Sequence, residues 1–85
     1  MKEFEYKITD ETGLHARPAG MIVKEAKKYS SRITLFANGK ECEATRLMPL
    51  MAMCIKCGTI VRVSIEGDDE LRCFEEMKKF FEQNL

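Results

Sequence analysis

The sequence contains a single histidine, His15, and no tryptophan. It has no excess charge of either sign, because 14 basic side chains balance 14 acidic ones. This balance argues against a general nucleic-acid or membrane-surface binder, which is normally basic. No apolar run approaches the roughly 20 residues of a membrane-spanning helix, and the charged, alternating first residues do not resemble a signal peptide. At 85 residues, we expect one globular domain spanning residues 1–85, located in the cytoplasm.

The four cysteines do not form a strong metal or redox motif. Cys54 and Cys57 have the CxxC spacing, but a structural zinc site needs two further ligands, and a redox pair normally starts a helix rather than following one. Cys42 and Cys73 are typical of small apolar residues in a core. We therefore expect reduced thiols and no metal site, with a redox or metal role of the CxxC pair as a minor alternative.

Hydrophobic periodicity predicts seven elements in the order strand, helix, strand, strand, helix, strand, helix. This order is typical of an α+β domain, in which one antiparallel sheet carries the helices on one face and leaves the other face solvated. The polar alternates Glu5, Lys7, Thr34, Arg62 and Ser64 fit a solvated face. The first four predicted segments are a strand through Phe4, Tyr6 and Ile8, a helix over 16–29, and strands over 32–37 and 40–43 joined at Asn38 and Gly39. The last three are a helix over 47–53 capped by Thr45, a strand over 59–66 and a helix over 69–83. The final helix has Asp69 as its candidate N-cap and Leu71, Phe74, Met77 and Phe81 as its apolar stripe.

The start of the first helix predicts an anion site. If the helix begins at Ala16, His15 is its N-cap, and the N–H groups of Ala16 and Arg17 have no partner inside the helix. Pro18 lacks an N–H, which costs nothing in a first turn. The positive helix end favours an anion and disfavours a protonated imidazole, so a ring nitrogen is expected to be free to attack phosphorus. The Arg17 guanidinium adds donors that can grip phosphoryl oxygens.

These residues predict a histidine that carries a phosphoryl group. His15 and Arg17 are the candidate catalytic residues, with the backbone of Ala16 and Arg17 binding the phosphoryl oxygens. The chain has no glycine-rich nucleotide loop and no cluster of carboxylates such as a kinase uses. Donor and acceptor are therefore expected to be other proteins, and no cofactor is expected.

The segment Gly13-Leu14-His15-Ala16-Arg17-Pro18-Ala19 resembles the active-site motif of the histidine-containing phosphocarrier family, HPr, of the phosphoenolpyruvate-dependent sugar phosphotransferase system. The resemblance implies an open-faced β-sandwich, βαββαβα, with a four-stranded antiparallel sheet and three helices on one face. It also implies that enzyme I phosphorylates His15 on Nδ1, that enzyme IIA domains of sugar permeases accept the group, and that the protein is a carrier rather than an enzyme. The likeness extends along the whole chain, through Asn38-Gly39-Lys40, Leu47-Met48, Ile55-Lys56, Gly58 and Glu66-Gly67.

The short helix over 47–53 has more apolar residues than one buried face can hold. They are either core residues with a few surface methionines or a docking patch, since methionine adapts to varied partners. The resemblance favours the patch and assigns partner docking to five residues. These are Gly20, Lys24, Leu47, Met48 and Met51.

Arg46 stands where many members of the family carry a regulatory serine, and arginine cannot accept that phosphate. Thr45 is adjacent, but a shift of one residue at a helix start points its hydroxyl elsewhere. We therefore expect no seryl-type regulation. The added positive charge of Arg46 favours acidic partners.

Two other functions stay open. The first is a regulatory module that keeps the fold and acts by docking on transcription regulators or in a phosphotransfer branch not tied to sugar uptake. The second is a small-ligand or RNA-binding split βαβ domain, against which the neutral charge and the lack of an aromatic row on a strand both argue. A monomer is expected, because a carrier must keep its docking surface open to successive partners.

Overall fold

Four strands form one antiparallel sheet. In the computed structural model, which describes residues 1–85, these are β1 (Lys2–Lys7), β2 (Arg32–Ala37), β3 (Lys40–Glu43) and β4 (Ile60–Glu66). Their order across the sheet is β1-β4-β2-β3, and every neighbouring pair is antiparallel. The last strand of the chain therefore lies in the interior of the sheet, between β1 and β2.

The three helices, α1 (Ala16–Ala26), α2 (Leu47–Ala52) and α3 (Glu70–Asn84), cover one face of this sheet. Val63 of β4 pairs with Phe4 of β1 on one side and with Leu35 of β2 on the other, and all three side chains are buried. Each such burial stabilises the fold by about 1.5–3 kcal/mol. On the opposite face Arg62 is exposed, with its guanidinium 4.5 Å from the centre of the Phe36 ring. The α+β, open-faced architecture is confirmed.

The buried side of α3 differs from the predicted stripe. Cys73, Met77 and Phe81 are fully buried, whereas Leu71 is 58% exposed. Because each residue turns an α-helix by about 100°, Leu71 lies nearly opposite Cys73, and the prediction for Leu71 was wrong. Phe81 completes the core with an edge-to-face contact to Phe4, at 5.5 Å between ring centres.

Two helix ends also differ from the prediction. Helix α1 ends at Ala26 rather than near residue 29, because the N–H groups of Lys28 and Tyr29 bond three residues back in a tighter turn. Thr45 does not cap α2. The Arg46 N–H donates to the Glu43 oxygen and closes a turn before the helix. The N-cap is therefore Arg46, one residue later than predicted, and its side chain makes no cap hydrogen bond.

Asp69 occupies the N-cap position of α3 but does not cap the helix with its side chain. Its carboxylate instead accepts hydrogen bonds from the Ser30 N–H, at 3.0 Å, and from the Ser31 N–H and hydroxyl. These bonds hold the pKa of Asp69 below its usual value. The residue therefore joins the start of α3 to the segment that enters β2.

Candidate phosphoryl-transfer site

His15 lies at the start of α1 with its side chain exposed. Its backbone is extended, with φ −85° and ψ −168°, and its ring makes no cap hydrogen bond. The His15 carbonyl accepts the Ala19 N–H at 3.0 Å, which closes the first helical turn. The N–H groups of Ala16 and Arg17 donate to no backbone oxygen, so the predicted pair of free donors stands beside the imidazole. Such a helix start favours a bound anion.

The segment before His15 is fixed by a close backbone contact. Gly13 adopts a left-handed φ of +68°, and a Cβ there would lie 2.7 Å from the Ile55 oxygen. The next residue, Leu14, is buried and donates its N–H to the same Ile55 oxygen at 2.8 Å. The loop that precedes β4 therefore holds the residue directly before the histidine.

Asp10 lies near the site, although the sequence did not predict this. Its carboxylate accepts the Thr12 hydroxyl at 2.7 Å and the Thr12 N–H at 2.9 Å. These bonds, chiefly the one from the hydroxyl, lower the pKa of the Asp10 carboxyl, and the nearby Arg17 guanidinium lowers it further. The spacing Asp-x-Thr before a glycine is a recognisable turn signal. Its proximity to His15, however, depends on how the loop folds back.

Arg17 extends from the first turn of α1 and is exposed. It takes part in no ion pair, so its planar fork of donors is unoccupied by any carboxylate of the chain. None of the surface cavities is lined by His15 or Arg17. The site therefore lies on the open surface of the protein.

The predicted docking patch, defined as Gly20, Lys24, Leu47, Met48 and Met51, spans two helices that contact each other. Leu50 is the buried residue of α2, so its neighbours are pushed outward. Met48 is 73% exposed and Leu47 39% exposed, while Met51 is half-buried. On α1, Gly20 leaves open space within 4 Å of its missing Cβ, and Lys24 follows one turn later on the same side.

The cysteines separate into two environments. Cys54 and Cys57 are exposed and free. Cys73 is buried, and burial raises the pKa of its thiol to about 12. Cys42 is half-buried, and burial likewise raises the pKa of its thiol. Across the chain, no group of three or more His, Cys, Asp or Glu side chains converges as a metal site would require.

The fold and the site together define a class of protein. A small domain with three helices on one face of an open antiparallel sheet, and an exposed histidine at a helix start beside an arginine, is typical of a phosphocarrier. Sequence comparison agrees, since the family profile described as "PTS HPr component phosphorylation site" matches residues 2–83. The chain belongs to the HPr family of phosphocarrier proteins. No helix in it is both long enough and apolar enough to cross a bilayer.

Individual relatives are similar over nearly the whole chain. The phosphocarrier protein HPr of Mycoplasma capricolum is 43% identical over 79 residues, which cover 93% of this chain and 89% of that protein. The crystal structure of HPr from Thermoanaerobacter tengcongensis superposes with a TM-score of 0.92 at 37% identity, covering 99% of this chain and 94% of that one. The Bacillus subtilis catabolite repression containing protein Crh, solved as a swapped dimer, has a TM-score of 0.76 at 30% identity, with coverage of 100% and 98%.

Proposed function

We propose that His15 accepts a phosphoryl group from enzyme I, which draws it from phosphoenolpyruvate, and passes it to enzyme IIA of a sugar permease. The observation that carries this proposal is an exposed imidazole at a helix start with two free N–H groups beside it. In the transfer, the Nδ1 lone pair of His15 attacks phosphorus, and the donor–phosphorus bond breaks with its electron pair returning to the donor. A nucleophile of enzyme IIA then attacks the phosphorus, and the bond between phosphorus and Nδ1 breaks with its electron pair returning to His15, which restores the free imidazole.

The surrounding groups give the phosphoryl group its charge stabilisation. The free N–H groups of Ala16 and Arg17 and the positive helix end would meet the phosphoryl oxygens, and the Arg17 guanidinium would add a charged donor fork. Phosphoryl transfer depends mainly on positioning and charge stabilisation. The protein would then act as a single-domain, monomeric carrier in the cytoplasm, with no turnover of its own.

The direct test is phosphorylation by enzyme I, Mg²⁺ and phosphoenolpyruvate. We expect an acid-labile phosphate that is absent from His15→Ala, because no other side chain offers an imidazole. Arg17→Ala should slow transfer by about 10- to 100-fold, the range expected for a lost charged hydrogen bond. Arg62→Ala is the matched control, since Arg62 is an exposed arginine on the opposite face. Absence of any phosphate on the folded protein would refute the carrier function.

We further propose that the docking patch is the surface shared by enzyme I and enzyme IIA. Its support is the exposure of Met48 on a helix that contacts the one His15 precedes. Met48→Ala should raise the KM for both partners. Ile60→Ala is the matched control and should leave the KM unchanged, because Ile60 is an apolar residue, 59% exposed, on the open sheet face. Equal effects of the two variants would show that the patch has no special role.

Arg46 supports the absence of seryl-type regulation, since its side chain cannot be phosphorylated by such a kinase. Thr45 lies in the turn before α2 and is exposed. Incubation with an HPr-directed serine kinase and ATP should leave the chain unmodified. Stoichiometric phosphate on Thr45 would overturn this part of the proposal.

The likeness to Crh favours one second candidate, a regulatory module that acts by docking on transcription regulators. The same phosphorylation assay separates the two functions. A docking module would bind its partner equally well with His15→Ala and would gain no acid-labile phosphate.

A further inference from the structure

The segment from Cys54 to Cys57 touches the loop that positions His15. Within it, the Ile55 oxygen accepts the Leu14 N–H at 2.8 Å. The Cys57 nitrogen lies 3.2 Å from the place where a Cβ of Gly13 would stand, and the Cys57 thiol lies 3.9 Å from the Thr9 oxygen. A change in this segment therefore reaches the residue directly before the histidine.

Both thiols of the segment are exposed and free. Cys54 has a left-handed φ of +53°, directly after the last turn of α2, at a position where glycine is preferred. A side chain in this conformation costs about 1–2 kcal/mol. The backbone at this position favours glycine, so the cysteine side chain is present there at a cost in stability.

The two cysteines are separated by only two residues. Three peptide steps span at most about 10 Å, and a disulfide needs its Cα atoms within about 7 Å. Ile55 and Lys56 alone must absorb any movement that closes the ring. Because the Ile55 side chain is buried and its oxygen holds Leu14, ring closure and the position of Leu14 are mechanically linked.

We propose that Cys54 and Cys57 form a reversible disulfide by exchange with a low-molecular-weight disulfide, and that this bond slows phosphoryl transfer at His15. The rate effect rests on the proposed carrier function. In the first step one thiolate attacks the small disulfide, forms a mixed disulfide and releases one small thiol. The second thiolate then displaces the other small thiol, so the protein dithiol is oxidised, the reagent is reduced to two thiols, and those thiols take up the two protons.

The expected effect follows from the Leu14 contact. Strain on the Ile55 oxygen weakens a hydrogen bond that holds the chain at the residue before His15, and displaces the imidazole from the free N–H groups of Ala16 and Arg17. A misplacement of the reacting imidazole by less than about 1 Å is expected to lower the transfer rate by about tenfold. Reduction of the disulfide should restore the full rate.

The test treats the whole protein with oxidised glutathione, alkylates the free thiols, measures the intact mass, and then assays phosphorylation by enzyme I. Wild type and Cys42→Ser should both close a disulfide between Cys54 and Cys57 without retaining glutathione. Both should lose about tenfold in rate and recover it with dithiothreitol. Cys57→Ser should instead retain one glutathione on Cys54 and keep its rate within about twofold, because no ring closes.

Three results would overturn the proposal. They are the absence of the disulfide, a disulfide with an unchanged rate, or an equal loss of rate in glutathione-bearing Cys57→Ser. If the reduced protein accepts no phosphate at all, the carrier function fails, and the proposal is then tested by NMR alone. The amide signals of Leu14 and Ala16 should shift on oxidation of wild type and stay in place in Cys57→Ser, and unmoved signals in the oxidised wild type would refute the linkage.

Discussion

Replacing Gly13 with alanine should destabilise the protein through a contact that only the folded chain makes. The left-handed φ of +68° costs an alanine about 1–2 kcal/mol. Reduced freedom of the unfolded chain offsets about 0.4–1 kcal/mol of this. The added Cβ would also lie 2.7 Å from the Ile55 oxygen and 2.9 Å from the Lys56 Cα. Neither backbone atom can rotate away, and relieving such overpacking costs about 1–3 kcal/mol more.

The sum predicts a loss of about 1–5 kcal/mol in the free energy of unfolding. For a domain of this size it corresponds to a fall in Tm of about 5–30 °C. Urea denaturation followed by far-UV circular dichroism measures the change, with an unchanged m-value showing that the unfolded state is the same. Since the strained contact lies one residue from Leu14, phosphorylation of His15 should also slow in the folded variant.

Gly39→Ala is the matched control. Gly39 has nearly the same left-handed φ, +74°, but no atom lies within 4 Å of its missing Cβ. Only the conformational terms apply there, and they predict a loss of at most about 1.6 kcal/mol. If Gly13→Ala is no less stable than Gly39→Ala, the backbone contact with Ile55 and Lys56 does not constrain the site, and the reasoning fails.

Three further outcomes are expected. Leu50→Ala should lose about 2–5 kcal/mol of stability in urea denaturation because Leu50 is fully buried, whereas exposed Met48→Ala should change it by less than about 0.5 kcal/mol; similar losses would contradict the burial argument. Hydrogen bonds from the Ser31 hydroxyl and from nearby N–H groups lower the pKa of Asp69 in the folded protein. Their contribution to stability is complete above the pKa of the unfolded chain, about 4, and is lost as the pH falls through the lower pKa of the folded protein. The free energy of unfolding should therefore fall less steeply with acid in Asp69→Ala than in wild type, and identical profiles would show that these bonds do not stabilise the fold. An aromatic disulfide reagent should leave Cys73 unmodified in the native protein and react with it only in denaturant, because burial raises its pKa to about 12; fast native labelling would show that the core opens there.

Local patterns were sufficient where neighbouring residues decide the structure. The alternation of Val61, Val63 and Ile65 predicted β4 because successive side chains of a strand point to opposite faces. The Asn38-Gly39 pair predicted the hairpin between β2 and β3, and both residues do adopt positive φ. The histidine at the start of α1 was predicted for the same reason, since the end of a helix is set within one turn.

Patterns failed where a distant segment competed for the same residue. Asp69 looked like a helix cap, but its carboxylate bonds to Ser30 and Ser31, nearly 40 positions earlier in the chain. Leu71 looked like a core residue, but the buried line of α3 is set by how the helix rests on β1, through Phe81 and Phe4. Neither long-range contact can be recognised from the spacing of residues within α3.

The sequence alone determined which elements form, that the single histidine stands at the start of a helix, and which family the motif resembles. These depend on short-range geometry and on the chemistry of adjacent residues. Only the tertiary structure decided that β4 inserts between β1 and β2, and that the Ile55 oxygen accepts a hydrogen bond from the Leu14 N–H. These contacts join residues far apart in the chain, and their selection depends on the simultaneous burial of one shared core rather than on any single segment.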